Sequence, residues 1–181
     1  GDQSKNLPAS PDAIRKNQVK NVADLWIDLS RNAEIVSKGK ETVIGLYDIS
    51  SDLSATIPQM QYLYSNVQEI LLDNNAAAEQ VYFATRQSTY AERIIRSFQK
   101  VLAGGDDASI AAENFGLDVD GFGVVLTGML EGDSMSGISK INNSEAREHL
   151  NNIQNQYVGV NQNVDFVIRS KCLLASFYTE Q

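Results

Sequence analysis

One stretch of the sequence combines cationic side chains with small hydroxyls at helical spacing. It reads ATRQSTYAERIIRSF, residues 84–98, and it carries Arg86 and Arg93 seven positions apart. Residues seven apart in a helix point in the same direction, so we expect these two guanidinium groups on one side. Guanidinium donates hydrogen bonds in a fixed plane, which suits an anion or a partner carboxylate. The candidate ligand or interface residues are Arg86, Gln87, Ser88, Tyr90, Glu92 and Arg93.

The same arginines also have an ordinary interpretation. Arginines on the flank of a helix are usually solvated or paired with a glutamate one turn away, and exposed pairs add little stability. If two chains pair through this helix, Glu92 or Glu79 could partly supply carboxylates to the arginines that meet there. The residues alone therefore leave a solvated or salt-bridged role open beside a ligand or interface role.

The helix predicted for this stretch has two apolar stripes. Both advance in heptad-like steps, and they are displaced by roughly a third of a turn on the helical wheel. Two stripes require cover on two sides, either from two intrachain neighbours or from the bundle and a partner chain. In a twofold dimer Arg86 and Arg93 would meet their own copies, and four guanidinium groups would need an anion or carboxylates between them. The stripes are Ala77, Val81, Ala84, Ser88, Ala91, Ile95, Phe98, Leu102 and Phe83, Gln87, Tyr90, Ile94, Ser97, Val101.

Composition excludes several other classes of function. The 181 residues carry a net charge of −8 and show no basic stripe, so nucleic acid is not an expected partner. His149 and Cys172 are the single histidine and cysteine, which removes most metal sites and catalytic triads. The acidic run that begins at Asp118 has Met129 where a calcium-binding loop needs Glu. We expect no cofactor, no metal and no enzymatic activity.

The apolar spacing predicts an all-α fold, an elongated antiparallel bundle of long heptad-patterned helices. At 43% hydrophobic residues the chain can bury a core, and no apolar run is long enough for a membrane span. We predict five helices. The first starts at Ser10 and Pro11 and is interrupted or kinked at Gly39, and the second continues through Pro58 to a turn at 73–75. The third covers about 76–103, the fourth covers about 107–131, and the last runs from near Asn143 towards the C-terminus.

Glycines mark two further features. Gly104 and Gly105 are expected to end the third helix, with an Asp capping the next one. Glycine inside a helix costs roughly 1 kcal/mol against alanine, so several of them in the fourth helix need a reason. We expect them to admit a neighbouring backbone at close range. They are Gly116, Gly121, Gly123 and Gly128.

Beyond these patterns, the sequence resembles a known family. ATIPQMQYLYSNVQEILLDNNAAAEQVYFATRQSTYAERIIRSFQKVLAGGDD (55–107), FGLDVDGFGVVLTGMLEG (115–132) and ISKINNSEAREHLNNI (138–153) are similar to the periplasmic sensor region of the PilJ family. The opening GDQSKNLPASPDAIRKNQ (1–18) resembles it too. These proteins are methyl-accepting chemotaxis transducers of the type IV pilus, twitching-motility system. The resemblance covers most of residues 1–155 and includes loops and glycines as well as heptads.

The resemblance implies a function. The chain would be the ligand-sensing part of a dimeric inner-membrane receptor, facing the periplasm, with its membrane anchors and signalling rod outside this chain. The helical modules of this family are relatives of nitrate and nitrite sensors and carry a Q-R-x-S-x-x-x-[Q/E]-R type helix. ATRQSTYAERI corresponds to it, with Arg86, Gln87, Ser88, Glu92 and Arg93 at the motif positions. In the nitrate sensors an arginine of this motif contacts the anion at the dimer interface. In the PilJ family the expected cue is pilin, the pilus subunit, or another pilus component.

The resemblance also implies a domain organisation. Residues 1–181 would form a single sensor region, with about 1–75 as the remainder of a first helical module and about 76–181 as a second. A further long helix with its own copy of the motif would precede residue 1, and the tail at 168–181 departs from the family pattern.

Three hypotheses about function follow: a sensor of a protein cue, a sensor of a small anion bound between two chains, and a structural helical spacer. Only the spacer has no use for charges beside an interface.

Overall fold

The molecule is almost entirely helical. The computed structural model describes residues 3–5 and 13–178, without the side chains of residues 3, 13, 14, 38 and 172–178. No strand occurs in these ranges, and an isolated bridge joins Asp133 and Ile138 in a loop. The predicted all-α bundle is confirmed. After a short 3-10 helix at Gln3–Lys5, the helices are α1 (Ala13–Asp73), α2 (Ala78–Ala103), α3 (Ala108–Glu131), α4 (Ser144–Gln162) and α5 (Val164–Tyr178).

The chain divides into two compact units, residues 1–41 and 42–181. The first contains the beginning of α1, whose large apolar side chains from Val19 to Leu29 are exposed, as is Val36. The second contains the rest of α1 and the other four helices. The proposed meeting of two modules near residue 75 stays a prediction, and the expected helix start at Ser10 and Pro11 lies outside the described residues.

The first helix is longer than predicted. α1 passes through Gly39 without a break, so the division into two helices at that residue is wrong. A single glycine costs only about 1 kcal/mol, which is too little to end a helix of this length. The predicted continuation through Pro58 is confirmed. So is the turn after Asp73, where Asn75 takes a positive φ of 50°.

The last helix is split in two, although a single helix was predicted. α4 ends at Gln162, and the Asn163 amide donates to the Val160 carbonyl at 3.2 Å. A bond to the third residue back tightens the turn and interrupts the α-helical pattern before α5. The predicted start is confirmed, because the Asn143 side chain accepts hydrogen bonds from the amides of Glu145 and Ala146, each at 3.0 Å.

α3 is the most deeply buried helix of the second unit. It packs against α2, α4 and α5, and its Phe122 ring meets Tyr64 of α1 edge-on at 5.7 Å between centroids. A short turn joins it to α2, so the two run antiparallel. Gly104 and Gly105 both have positive φ there, as expected. Asp107 occupies the N-cap position, but its side chain makes no capping hydrogen bond, so that part of the prediction is wrong.

The glycines of α3 admit side chains, whereas a neighbouring backbone was predicted. A methyl group on Gly116 would lie 3.1 Å from Ile168 Cδ1. One on Gly128 would lie 2.9 Å from Ile138 Cδ1. The two tyrosine rings of the neighbouring helices take the remaining positions, Tyr90 on Gly121 and Tyr157 on Gly123. The missing methyl groups therefore provide room for bulky residues of α2, α4, α5 and the loop before α4.

Candidate functional site

The two apolar stripes of α2 merge into one buried face. Its buried residues come from both stripes, whereas Leu102 of the first stripe is exposed. α1 and α3 cover it, so the two sides are covered by intrachain neighbours within the second unit. Intrachain neighbours, the first of the two expected alternatives, therefore cover the buried members of both stripes. The buried residues are Ala84, Gln87, Ala91, Ile94, Phe98 and Val101.

Gln87 is the polar member of this buried face. Its side chain is completely buried, and Nε2 donates to Tyr64 Oη at 3.1 Å and to the Phe122 carbonyl at 3.0 Å. Among the described residues its Oε1 has no donor. Burial raises the pKa of Tyr64 above the ordinary value, with the Gln87 hydrogen bond opposing the change. Gln87 therefore ties α2 to α1 and α3. Ser88 beside it is half-buried.

Arg86, Tyr90 and Arg93 form one surface at the edge of this buried face, which we call the arginine face. Both guanidinium carbons lie close to the Tyr90 ring, at 5.6 Å for Arg86 and 5.8 Å for Arg93 from the centroid. Such cation–π contacts fix the position of an arginine without neutralising it. The two guanidinium groups therefore flank one aromatic ring, as their spacing of seven residues predicts.

Arg93 is paired with a buried carboxylate of α3. Its Nη2 lies 2.6 Å from Asp118 Oδ1, and its Nε donates to Oδ2 at 3.2 Å. The Asp118 side chain is 3% exposed, and its burial raises the pKa of the carboxyl group while Arg93 opposes the rise. Within the described part of the chain, neither Glu92 nor Glu79 forms an ion pair with Arg93. Glu79 instead accepts a hydrogen bond from the Ser139 amide at 2.8 Å.

Arg86 has a different environment from Arg93. It is exposed, and its Nη1 lies 3.5 Å from Tyr82 Oη, which is a long hydrogen bond. Within the described part of the chain it forms no ion pair with a carboxylate. Glu92, six residues further along α2, is exposed. The arginine face thus carries one charge that is compensated internally and one that is available to an anion or a partner carboxylate.

Three contributors to this face were not predicted: Asp118, Gly121 and Tyr82. Asp118 and Gly121 come from α3, far from α2 in sequence. One signal for Asp118 was present, since an acidic residue inside a strongly apolar helix is seldom buried without a cation. Gly121 has no signal of its own, because several glycines in the helix look alike in the sequence.

The single histidine is not part of this face. His149 lies half-buried in α4, and its Nδ1 is buried without a partner among the described residues. With Asn66 and Ile70 of α1, it lines a cavity between α1 and α4. The Cys172 side chain lies outside the described residues. In the described ranges no helix is long and apolar enough to cross a membrane.

The fold and the site together define the class of protein. It is an all-α bundle in which one helix carries two arginines seven residues apart. Two chemotaxis proteins are similar to the chain in sequence. The chain is 44% identical over 170 residues, or 94% of its length, to Protein PilJ of Pseudomonas aeruginosa. It is 42% identical over 163 residues, or 90% of its length, to the Putative methyl-accepting chemotaxis AlkN of Alcanivorax borkumensis. No family model matches.

These comparisons confirm the resemblance to PilJ-type chemotaxis transducers over nine-tenths of the chain. The chain is similar to a region of these two proteins. It spans about a quarter of the length of the two relatives, 25% of PilJ and 23% of AlkN.

Proposed function

We propose that this chain is a non-enzymatic sensory region of a PilJ-type chemotaxis receptor. It faces the periplasm, recognises a protein cue such as pilin at the arginine face, and relays the cue by displacement of its long helices. Anchoring in the inner membrane comes from segments outside this chain. The observation that carries the proposal is the exposed Arg86 guanidinium, held on the Tyr90 ring without a described carboxylate partner.

A protein cue fits the shape and composition of this surface. Tyr82 is 57% exposed beside Arg86, so an aromatic ring and a cation are presented together on a convex helix. Tyrosine and arginine are enriched among the residues that dominate binding energy at protein interfaces. A carboxylate on the cue would pair with the Arg86 guanidinium and neutralise its charge.

A relay through the helices has a physical basis in the contacts beneath this surface. Arg93 joins α2 to α3 through Asp118, and Gln87 joins α2 to both α1 and α3. Close-packed helices shift between discrete arrangements instead of deforming continuously. A cue that moves α2 would therefore move α3 and α1 with it.

Self-association of the receptor is supported by the first unit. An apolar stripe on α1 advances in strict steps of three and four, and its members are exposed. Such a heptad pattern is typical of a helix that packs against another helix. Its flanks carry the uncharged residues Gln18, Ser30, Asn32 and Ser37, so no like charges would oppose a second copy. We call these residues the α1 stripe: Val19, Val22, Trp26, Leu29, Ala33 and Val36.

A small anion is the second candidate cue. The same open charge on Arg86 favours it, because a guanidinium group binds an oxyanion with parallel hydrogen bonds. In that case the site would be shared between the arginine faces of two chains. The structural spacer is disfavoured, because a spacer gains nothing from an uncompensated arginine on a packed helix.

Thermal unfolding separates these candidates, since a ligand that binds the native state raises the melting temperature by mass action. The chain is unfolded alone, with nitrate and other small anions, with amino acids, and with purified pilin. An increase with an anion that Arg86→Ala abolishes supports the anion sensor. Saturable stabilisation by pilin without any effect of anions supports the protein cue. A chain that responds to neither contradicts a sensory role for the arginine face.

A further inference from the structure

A groove between α1 and α4 has a lining unlike that of the arginine face. Its volume is about 690 Å³, which is within the range of small-molecule sites. Every residue that lines it is uncharged at neutral pH, and most carry side-chain amides. Gln59 and Tyr62 come from α1, while Asn152, Asn155 and Gln156 come from α4. The groove therefore offers donors and acceptors at close range without a formal charge.

The hydrogen bonds of the groove are incomplete. Gln156 Nε2 donates to Gln59 Oε1 at 3.2 Å, which links the two helices. Gln156 Oε1 is buried, yet no described residue donates to it. A buried acceptor without a donor is unfavourable, so a donor supplied by a ligand is favoured there. Asn152 and Asn155 are exposed, and their amides can both donate and accept.

The α1 side of the groove adds an apolar platform. Tyr62 is 68% exposed, although an aromatic ring of this size is usually covered. Pro58, one turn earlier, has no N–H, so α1 lacks the hydrogen bond that it would give to the Ser54 carbonyl. An exposed ring beside several amides matches a ligand with a flat C–H face and many hydroxyl groups. An ion finds no counter-charge in this lining.

From these features we infer that the groove between α1 and α4 binds a neutral sugar. The Tyr62 ring stacks on the sugar face, Asn152 and Asn155 bind its hydroxyl groups, and one hydroxyl donates to Gln156 Oε1. None of these residues belongs to the arginine face. The inference therefore goes beyond the proposed function and stands or falls separately from it.

The test uses the whole chain and two-dimensional NMR of its side-chain amide groups. The probes are glucose and N-acetylglucosamine, with cationic glucosamine and anionic glucuronate as sugars of similar shape. We expect saturable shifts of the Asn152, Asn155 and Gln156 amide signals with the neutral sugars and weaker ones with the charged sugars. Equal responses to all four probes, or none at millimolar concentrations, would overturn the inference.

Two tyrosine variants make the test specific. Tyr62→Ala removes the platform, and we expect roughly fivefold to tenfold weaker binding of the neutral sugar. Tyr47→Ala is the matched control, because Tyr47 is 74% exposed on the same helix and does not line the groove. Both variants should fold, since both rings are largely solvated. Equal affinity of Tyr62→Ala and the parent chain would overturn the stacking role and with it the assigned site.

Discussion

The ring of Tyr90 lies directly on Gly121. A methyl group at Gly121 would come within 2.8 Å of Tyr90 Cε1 and 3.0 Å of Cζ, closer than real side chains approach. α3 thus positions a ring of α2, and that ring in turn lies between Arg86 and Arg93. The geometry of the arginine face depends on the absence of one side chain on the neighbouring helix.

Substitution of that glycine should disturb the face without unfolding the bundle. In Gly121→Ala the Tyr90 ring has to move, and the two guanidinium groups lose their common platform, so we expect weaker binding of the cue by about tenfold. Alanine also favours the helix by up to about 1 kcal/mol, which partly offsets the strain. Titration with the cue and chemical unfolding measure both effects. Gly159→Ala in α4 is the control, because nothing lies within 4 Å of the added methyl group. Unchanged binding by Gly121→Ala would contradict this role of Tyr90.

Removal of the Arg93 side chain should make stability depend on pH in a defined direction. Arg93→Ala leaves the buried Asp118 carboxylate unpaired, and we expect the free energy of unfolding to fall by about 2 kcal/mol at pH 7. This is less than for a fully buried pair, because the Arg93 side chain is 54% exposed. Burial raises the pKa of Asp118 in the folded chain, so the folded state binds this proton more tightly than the unfolded state does. The unfolding free energy that this group contributes is therefore greatest below the ordinary carboxyl pKa and falls as pH rises through the raised pKa.

The loss in Arg93→Ala should accordingly shrink at acid pH, where Asp118 is neutral. Urea unfolding of the parent and the variant across acid to neutral pH measures the difference. Arg169→Ala is the control, since Arg169 and its partner Asp165 are 80% and 85% exposed and their pair should contribute almost nothing. A pH-independent loss would contradict the assignment to Asp118.

The Gln87 and Tyr64 pair should show strong coupling in a double-mutant cycle. Gln87→Leu removes the described donor to the buried Tyr64 oxygen and should cost about 2 kcal/mol. Tyr64→Phe alone should cost about 1 kcal/mol, because Gln87 Nε2 keeps its bond to the Phe122 carbonyl. The double variant should be less destabilised than the sum, since both polar groups are then absent. Unfolding free energies of the four chains test this, and simple additivity would argue against a direct interaction.

Self-association through the α1 stripe predicts a difference between two glutamate substitutions. Leu29→Glu places a charge within the stripe, whereas Ile27→Glu places it on another side of the same helix, where Ile27 is 55% exposed. We expect the parent chain and Ile27→Glu to associate reversibly at high concentration and Leu29→Glu to stay monomeric. Sedimentation velocity over a concentration series measures this. Monomers in all three chains, or the same association in all three, would rule out the stripe as the contact.

Much of the fold could be predicted because it depends on local patterns. The turn at Asn75, the positive φ of Gly104 and the cap at Asn143 each follow from residue type and position. The errors at Gly39 and Asn163 concern single residues whose local cost is small. Whether such a residue ends a helix depends on packing around it, which the sequence does not display.

Only the part of the candidate site that lies on α2 could be predicted from the sequence. The spacing of Arg86 and Arg93 placed both on one side of α2, as the structure does. Their environment depends on α3, which supplies Asp118 to Arg93 and the space at Gly121 for the Tyr90 ring. Contacts between helices require the register of one helix against the other, and heptad patterns alone allow several registers.

Direct binding of purified pilin to this chain tests the central claim, that the arginine face recognises a protein cue. Calorimetric titration is made with the parent, with Arg86→Ala and with Arg96→Ala, which removes another exposed arginine of α2 as a matched control. The proposed function predicts saturable binding by the parent and by Arg96→Ala, and binding by Arg86→Ala that is weaker by about tenfold or more. Equal affinity for all three chains, or no binding by the parent, would contradict it.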